Sequence, residues 1–145
     1  MSKFTFEISN MPDFGAYGKN VDKAINKALD EIADDLLLTA QKRAPVDSTD
    51  LERSGSRTAV KNFEVEVSFS AKNRGYNYAR RMDQDIYNLG KESKRKAGSI
   101  KSKFAKSSMK VGPGYLTDTA EKSKKGYSEH IEKAVQKQNK NIKSN

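Results

Sequence analysis

Between residues 20 and 43 the chain repeats apolar side chains at spacings of three and four: Val21, Ala24, Ile25, Ala28, Leu29, Ile32, Leu36 and Ala40. That spacing lines one face of a helix of roughly 24 residues, ~36 Å long at the standard rise. Both ends are marked by local chemistry. Asn20 is a capping residue, Asp22 suits the positive end of the helix dipole, and Lys42 and Arg43 suit its negative end. Pro45 forces an exit, because it disfavours helical geometry at Ala44. Such a helix is stable only if something covers its apolar face.

Short strands supply the cover. Phe4, Phe6 and Ile8 alternate with Thr5 and Glu7, and residues 63–69 (Phe63-Glu64-Val65-Glu66-Val67-Ser68-Phe69) alternate strictly, the period of a strand with one buried face. Residues 57–60 precede that strand and pair with it in a hairpin turning at Lys61-Asn62. Residues 11–18, with Pro12, Gly15 and Gly18, read as a loop. Tyr78, Met82, Ile86 and Leu89 predict a shorter helix. Gly112-Pro113-Gly114 punctuates the chain. Asp118 and Glu121 then open a last helix, with Ala120, Tyr127, Ile131, Ala134 and Val135 on its apolar face. The fold class is therefore α+β: a long amphipathic helix packed on a small antiparallel sheet, with a C-terminal helix and a long basic loop. Residues 1–136 form one domain, and residues 137–145 are read as a disordered basic tail.

The basic loop is residues 90–110, with eight Lys/Arg against one Glu and only Ile100, Phe104 and Met109 as large apolar residues. So little apolar material predicts a mobile segment until a partner orders it. Charge is unevenly placed overall. Residues 1–87 hold 13 Lys/Arg and 14 Asp/Glu (−1), residues 88–145 hold 15 and 5 (+10), and the net charge is +9. A basic C-terminal part suits a polyanion, or simply a solvated lysine-rich surface. The absence of cysteine excludes disulfides and thiolate chemistry. No stretch approaches the roughly 20 apolar residues of a membrane span, so a soluble protein made in a cytoplasm is expected.

The catalytic inventory is thin. His130 is the only histidine and stands between Glu129 and Glu132's turn of the last helix, with no nucleophile motif elsewhere. Gly15 and Gly18 are too close for a phosphate loop, and Asn20 stands where its magnesium-binding hydroxyl would be. Asp34 and Asp35 mark the wet face of the long helix, while Asp83 and Asp85 lack a calcium loop's glycine and distal glutamate. No cofactor, metal site or catalytic residue is assigned, and an enzyme is not expected.

The segment Ala44-Pro45-Val46-Asp47-Ser48-Thr49-Asp50-Leu51-Glu52-Arg53-Ser54, directly after the long helix, resembles the signature of the phage tail-completion or head–tail joining family. There the helix ends in Ala-Pro-Val-Asp-Thr-Gly, followed by the same Leu and Ser; Ser48-Thr49 replaces the usual Thr-Gly. The alternating strand, Tyr78-Ala79, and Gly114-Tyr115-Leu116 follow in the family's order, whereas residues 80–83 depart from it. The resemblance implies a virion protein of the neck that joins or completes the head–tail connection. It further implies a ring of identical subunits, often six, contacting portal or adaptor and tail-tube proteins around the DNA path, with no membrane partner. Pro45, Asp47, Leu51, Ser54, Tyr78, Tyr115 and Leu116 are the candidate assembly residues. Lys94, Arg95, Lys96, Lys101 and Lys103 form a docking or phosphate-facing group, with protein docking preferred because a strongly cationic lumen would grip DNA that must slide past. The alternative function is a small sequence-independent DNA-binding protein using the basic C-terminal part.

Overall fold

A computed structural model describes residues 2–7, 19–45, 50–73, 76–85, 89–96, 99–106 and 108–143. In chain order these form β1 (Ser2–Glu7), α1 (Lys19–Arg43), α2 (Asp50–Arg53), β2 (Ser56–Arg57), β3 (Glu64–Phe69), β4 (Lys72–Asn73), β5 (Tyr76–Asn77), α3 (Ala79–Gln84), α4 (Lys91–Lys96) and α5 (Thr117–Lys143). The α+β class is as expected. Phe4 and Phe6 lie on β1, but their side chains fall outside the described residues, as do Ile8, the 11–18 loop, residues 46–49, Ile86 and the side chain of Arg95.

β3 is the central strand of a three-stranded antiparallel sheet, order β1-β3-β2, with Ser2 opposite Phe69 and Ser56 opposite Ser68. Its alternation places Val65, Val67 and Phe69 in the core while Glu64 stays exposed. β4 and β5 pair separately. The hairpin turn is centred one residue later than expected. Lys61 and Glu64 exchange both backbone hydrogen bonds at 3.0 Å, and the two residues between them, Asn62 (φ 53°) and Phe63 (φ 58°), are both left-handed. Positive φ at both central positions matches the right-handed twist of the flanking strands, so this geometry is favoured despite about 1–3 kcal/mol of strain at a bulky residue such as Phe63. Phe63 packs against the core, which offsets that cost.

α1 packs on the sheet and runs antiparallel to α5, with Arg43, Asp35 and Glu31 meeting Asp118, Tyr127 and His130 in turn. Val21, Ile25, Ala28, Leu29, Ile32, Leu36 and Ala40 are buried, as are Ala120, Tyr127, Ile131 and Val135 on α5. Each fully buried Leu or Ile contributes roughly 1.5–3 kcal/mol, so this seam is the main hydrophobic term. Ala24 and Ala134 alone of the two predicted faces stay only half-buried. α5 continues through Lys143, where a disordered tail was expected; no Pro or Gly follows Gly126, and Lys and Gln are adequate helix formers.

Segment 90–110 also differs from its reading as a mobile loop. It forms α4, and Ile100 and Met109 exchange both backbone hydrogen bonds at 2.9 and 2.6 Å. Ser93, Ser102, Ala105 and Met109 are buried. Counting large apolar residues missed this, because polar anchors hold much of the segment.

Candidate functional site

The C-terminal end of α1 is where the family-like segment begins, and its last carbonyls need donors. Lys96 on α4 supplies them, reaching back so that Nζ donates to the carbonyls of Gln41 (2.6 Å) and Ala44 (2.9 Å) and pairs with Glu52 of α2 at 3.2 Å. The Gly112 N–H donates to the Arg43 carbonyl at 3.0 Å. Pro45 is buried just beyond, and Leu51 is buried under α2. Ser54 Oγ donates to the Leu51 carbonyl (2.7 Å) and accepts from the Ser70 N–H (3.1 Å), closing the connector onto the end of β3. Gly55 lies against Phe69: an added Cβ would come within 2.8 Å of that ring.

Arg43 is the hub. Its side chain is 5% exposed and its guanidinium satisfies several groups at once. Nε donates to the Lys110 carbonyl at 2.7 Å. One terminal nitrogen donates to the Gly114 carbonyl (3.1 Å), the Asp118 carboxylate (3.0 Å) and Thr119 Oγ1 (2.8 Å). A planar, always-charged fork suits such a buried multi-acceptor site better than a lysine would. It fixes the Gly112-Pro113-Gly114 turn against the helix that precedes the family-like segment.

Asp83 works at the same end. Buried at 2% exposure, its Oδ1 accepts from the N–H groups of Leu116 (2.9 Å) and Thr117 (3.1 Å), capping α5 from a separate helix, α3. Tyr115 donates its hydroxyl to the Ala79 carbonyl at 2.8 Å and sets its ring edge-on to Phe69, 5.0 Å between centroids. The Tyr78 N–H donates to the Ala71 carbonyl at 2.9 Å. The widely spaced residues Ser54, Tyr78, Tyr115 and Leu116 thus come together around Phe69 and the start of α5.

A third anchor lies at mid-helix. Asp35, expected on the wet face, is buried: its carboxylate accepts from Ser102 Oγ, from the Lys103 N–H (3.1 Å) and from the Tyr127 hydroxyl (2.7 Å). Burial, and then the adjacent Asp35 charge, push the Tyr127 hydroxyl well above the ordinary phenol range. Asp34, its neighbour, is exposed and pairs with Arg57 at 2.8 Å. On α5, Gly126 lets the Phe104 carbonyl approach so closely that a Cβ would meet it at 1.7 Å.

Among the candidate residues, Leu51, Tyr115 and Leu116 lie in the core and Pro45 is buried; Tyr78 is half-buried, and Asp47 is outside the described residues. The basic group is divided. Lys94, Lys101 and Lys103 are exposed, whereas Lys96 is committed to the end of α1. Arg43, Asp35 and Asp83 were not singled out as site residues, yet a signal existed for two of them. Asp35 stands seven residues after Ala28, and Arg43 seven after Leu36, so both lie on the buried face of α1. Among the described residues, no group of three or more His, Cys, Asp or Glu is placed to hold a metal ion, and no helix is long and apolar enough to cross a membrane.

The stretch from residue 11 to the start of α3 is also where similarity to known proteins lies. Residues 11–80 match the family model described as "Bacteriophage HK97-gp10, putative tail-component". The match spans the long helix, the family-like segment and the central strand, and agrees with the family expected from the sequence. What that family's description names is a tail component of a phage, and the similarity covers just under half of the chain. No curated protein and no solved structure matches.

Proposed function

We propose that this chain is a structural, non-catalytic subunit of the phage neck, assembling into a closed ring that completes the tail or joins it to the head. The family match over residues 11–80 is the observation that carries the reading. Two features support the finer part. The outer edges of β1 and β2 pair with no strand among the described residues, and such edges are natural sites for pairing with a neighbouring copy. An edge from each side of one sheet gives a head-to-tail contact, which generates a ring when the rotation closes. The Arg43 and Asp83 networks hold the end of α1 and α3 against the start of α5, so the region where the family-like segment begins would present neighbours with a fixed surface. Portal or adaptor and tail-tube proteins are the proposed partners, with the virion as location.

The test is the mass of the purified chain by light scattering across concentration, at low and high salt, with and without short random-sequence duplex. A closed multimer, or a monomer captured by portal–adaptor complexes and indifferent to duplex, upholds the reading. A monomer that coats duplex in a salt-dependent way and meets no assembly partner overturns it in favour of sequence-independent DNA binding.

A further inference from the structure

Among the described residues, the α1/α5 seam is closed at one end and open at the other. At the open end lies a groove of about 290 Å³ lined by Ala24, Lys27, Glu31, Lys133, Ala134 and Lys137. Its floor contains Ala24 and Ala134, the two members of the predicted apolar faces that the fold leaves half-covered. Its rim is cationic: Lys27, Lys133 and Lys137 are exposed and form no ion pair with another described residue. The one acid in the lining, Glu31, is held by His130 Nε2 at 3.1 Å.

We propose that this groove receives an acidic amphipathic helix from a partner protein, small apolar residues on the alanine floor and carboxylates on Lys27, Lys133 and Lys137. A groove between two antiparallel helices accepts a third helix by side-chain interdigitation, and alanines let it approach closely. An extended peptide fits less well, because the groove offers side chains and no strand edge to pair its backbone. The volume is at the lower limit of small-molecule pockets, roughly 300–1,000 Å³, and suits a few side chains. A nucleic acid would use the lysines and leave the floor unfilled. The groove lining contains no Phe, Tyr or Trp on which a base could stack, and Phe104 packs outside it, on Tyr127 and His130 at 5.6 and 4.7 Å between centroids. The docking lysines are therefore on the two long helices, and Lys94, Lys101 and Lys103 do not line the groove.

The inference deepens the reading of a virion structural subunit by naming a partner-facing surface, and its test needs neither ring nor portal. The full chain is titrated into a fluorescent helix-forming Glu/Ala/Leu peptide about five turns long. A Gln-for-Glu version and random-sequence duplex serve as comparison probes. Salt-sensitive, saturable binding of the acidic peptide is expected, with Lys133→Glu/Lys137→Glu weakening it roughly tenfold or more and Lys94→Glu/Lys101→Glu leaving it unchanged. Ala134→Leu, which keeps the charge and fills the floor, is expected to weaken it as well. Equal binding of the Gln peptide, indifference to the double reversal or to Ala134→Leu, or displacement of the peptide by duplex overturns the proposal. A ring with no peptide binding sinks this inference alone, and peptide binding by a chain that never assembles sinks the ring alone.

Discussion

The two ends of the α1/α5 pair are built from the same helices and differ in how their polar groups are used. At the closed end, Arg43, Asp83 and Lys96 are buried or half-buried, and each serves several backbone or side-chain partners. At the open end, Lys27, Lys133 and Lys137 stand in solvent around two half-covered alanines. Buried charge is tolerated only where its hydrogen bonds are filled, so the closed end is committed to holding the fold. Exposed lysines contribute little to stability, so the open end is free to be used by something else.

The largest break in that comparison should come from Arg43→Met. It strips the donors from Asp118, Thr119 and the 110–114 carbonyls and should cost about 3–5 kcal/mol, read as a lower urea midpoint. Gly126→Ala comes next. A Cβ placed 1.7 Å from the Phe104 carbonyl has to push segment 99–106 off α5, a loss of about 1–3 kcal/mol, with faster amide exchange at Lys103 and Ala105 as its local signature.

These two positions also show what could be read in advance. The apolar face of α1 and the alternation of β3 were legible because burial there follows simple periods. Arg43 and Asp35 sat on the same face but were read for charge, as a dipole partner and a wet-face acid. Their partners, at positions 110–119 and 102–127, are far away in sequence. The contacts of segment 90–110 were illegible for the same reason: its described residues are held by Asp35, by the α1 carbonyls that Lys96 caps and by the close approach that Gly126 allows. The turn at Asn62-Phe63 was displaced by one because a left-handed Phe is unusual and carries no local signal. The family-like segment was legible as a motif, and residues 11–80 match the corresponding family model.

Smaller effects sharpen the comparison. Tyr127→Phe should remove one donor to Asp35 and cost about 1 kcal/mol near neutral pH. It also has a pH signature. The folded Tyr127 hydroxyl ionises above its unfolded value of about 10, so its stabilisation is complete below pH ~10 and is lost as pH rises further. The wild-type chain should therefore lose more stability than Tyr127→Phe between pH ~9 and ~11, measured by parallel urea titrations. At the open end, Lys133→Ala and Lys137→Ala should each move stability by no more than about 0.5 kcal/mol. A loss comparable to that of Arg43→Met would mean that the two ends are not different in kind.

The most direct measurement of the central claim is electron microscopy of particles produced with a gold-labelled tag on this chain. Label confined to the junction between head and tail is the predicted result. Label spread along the tail or over the head, or particles that carry none, would contradict a neck subunit.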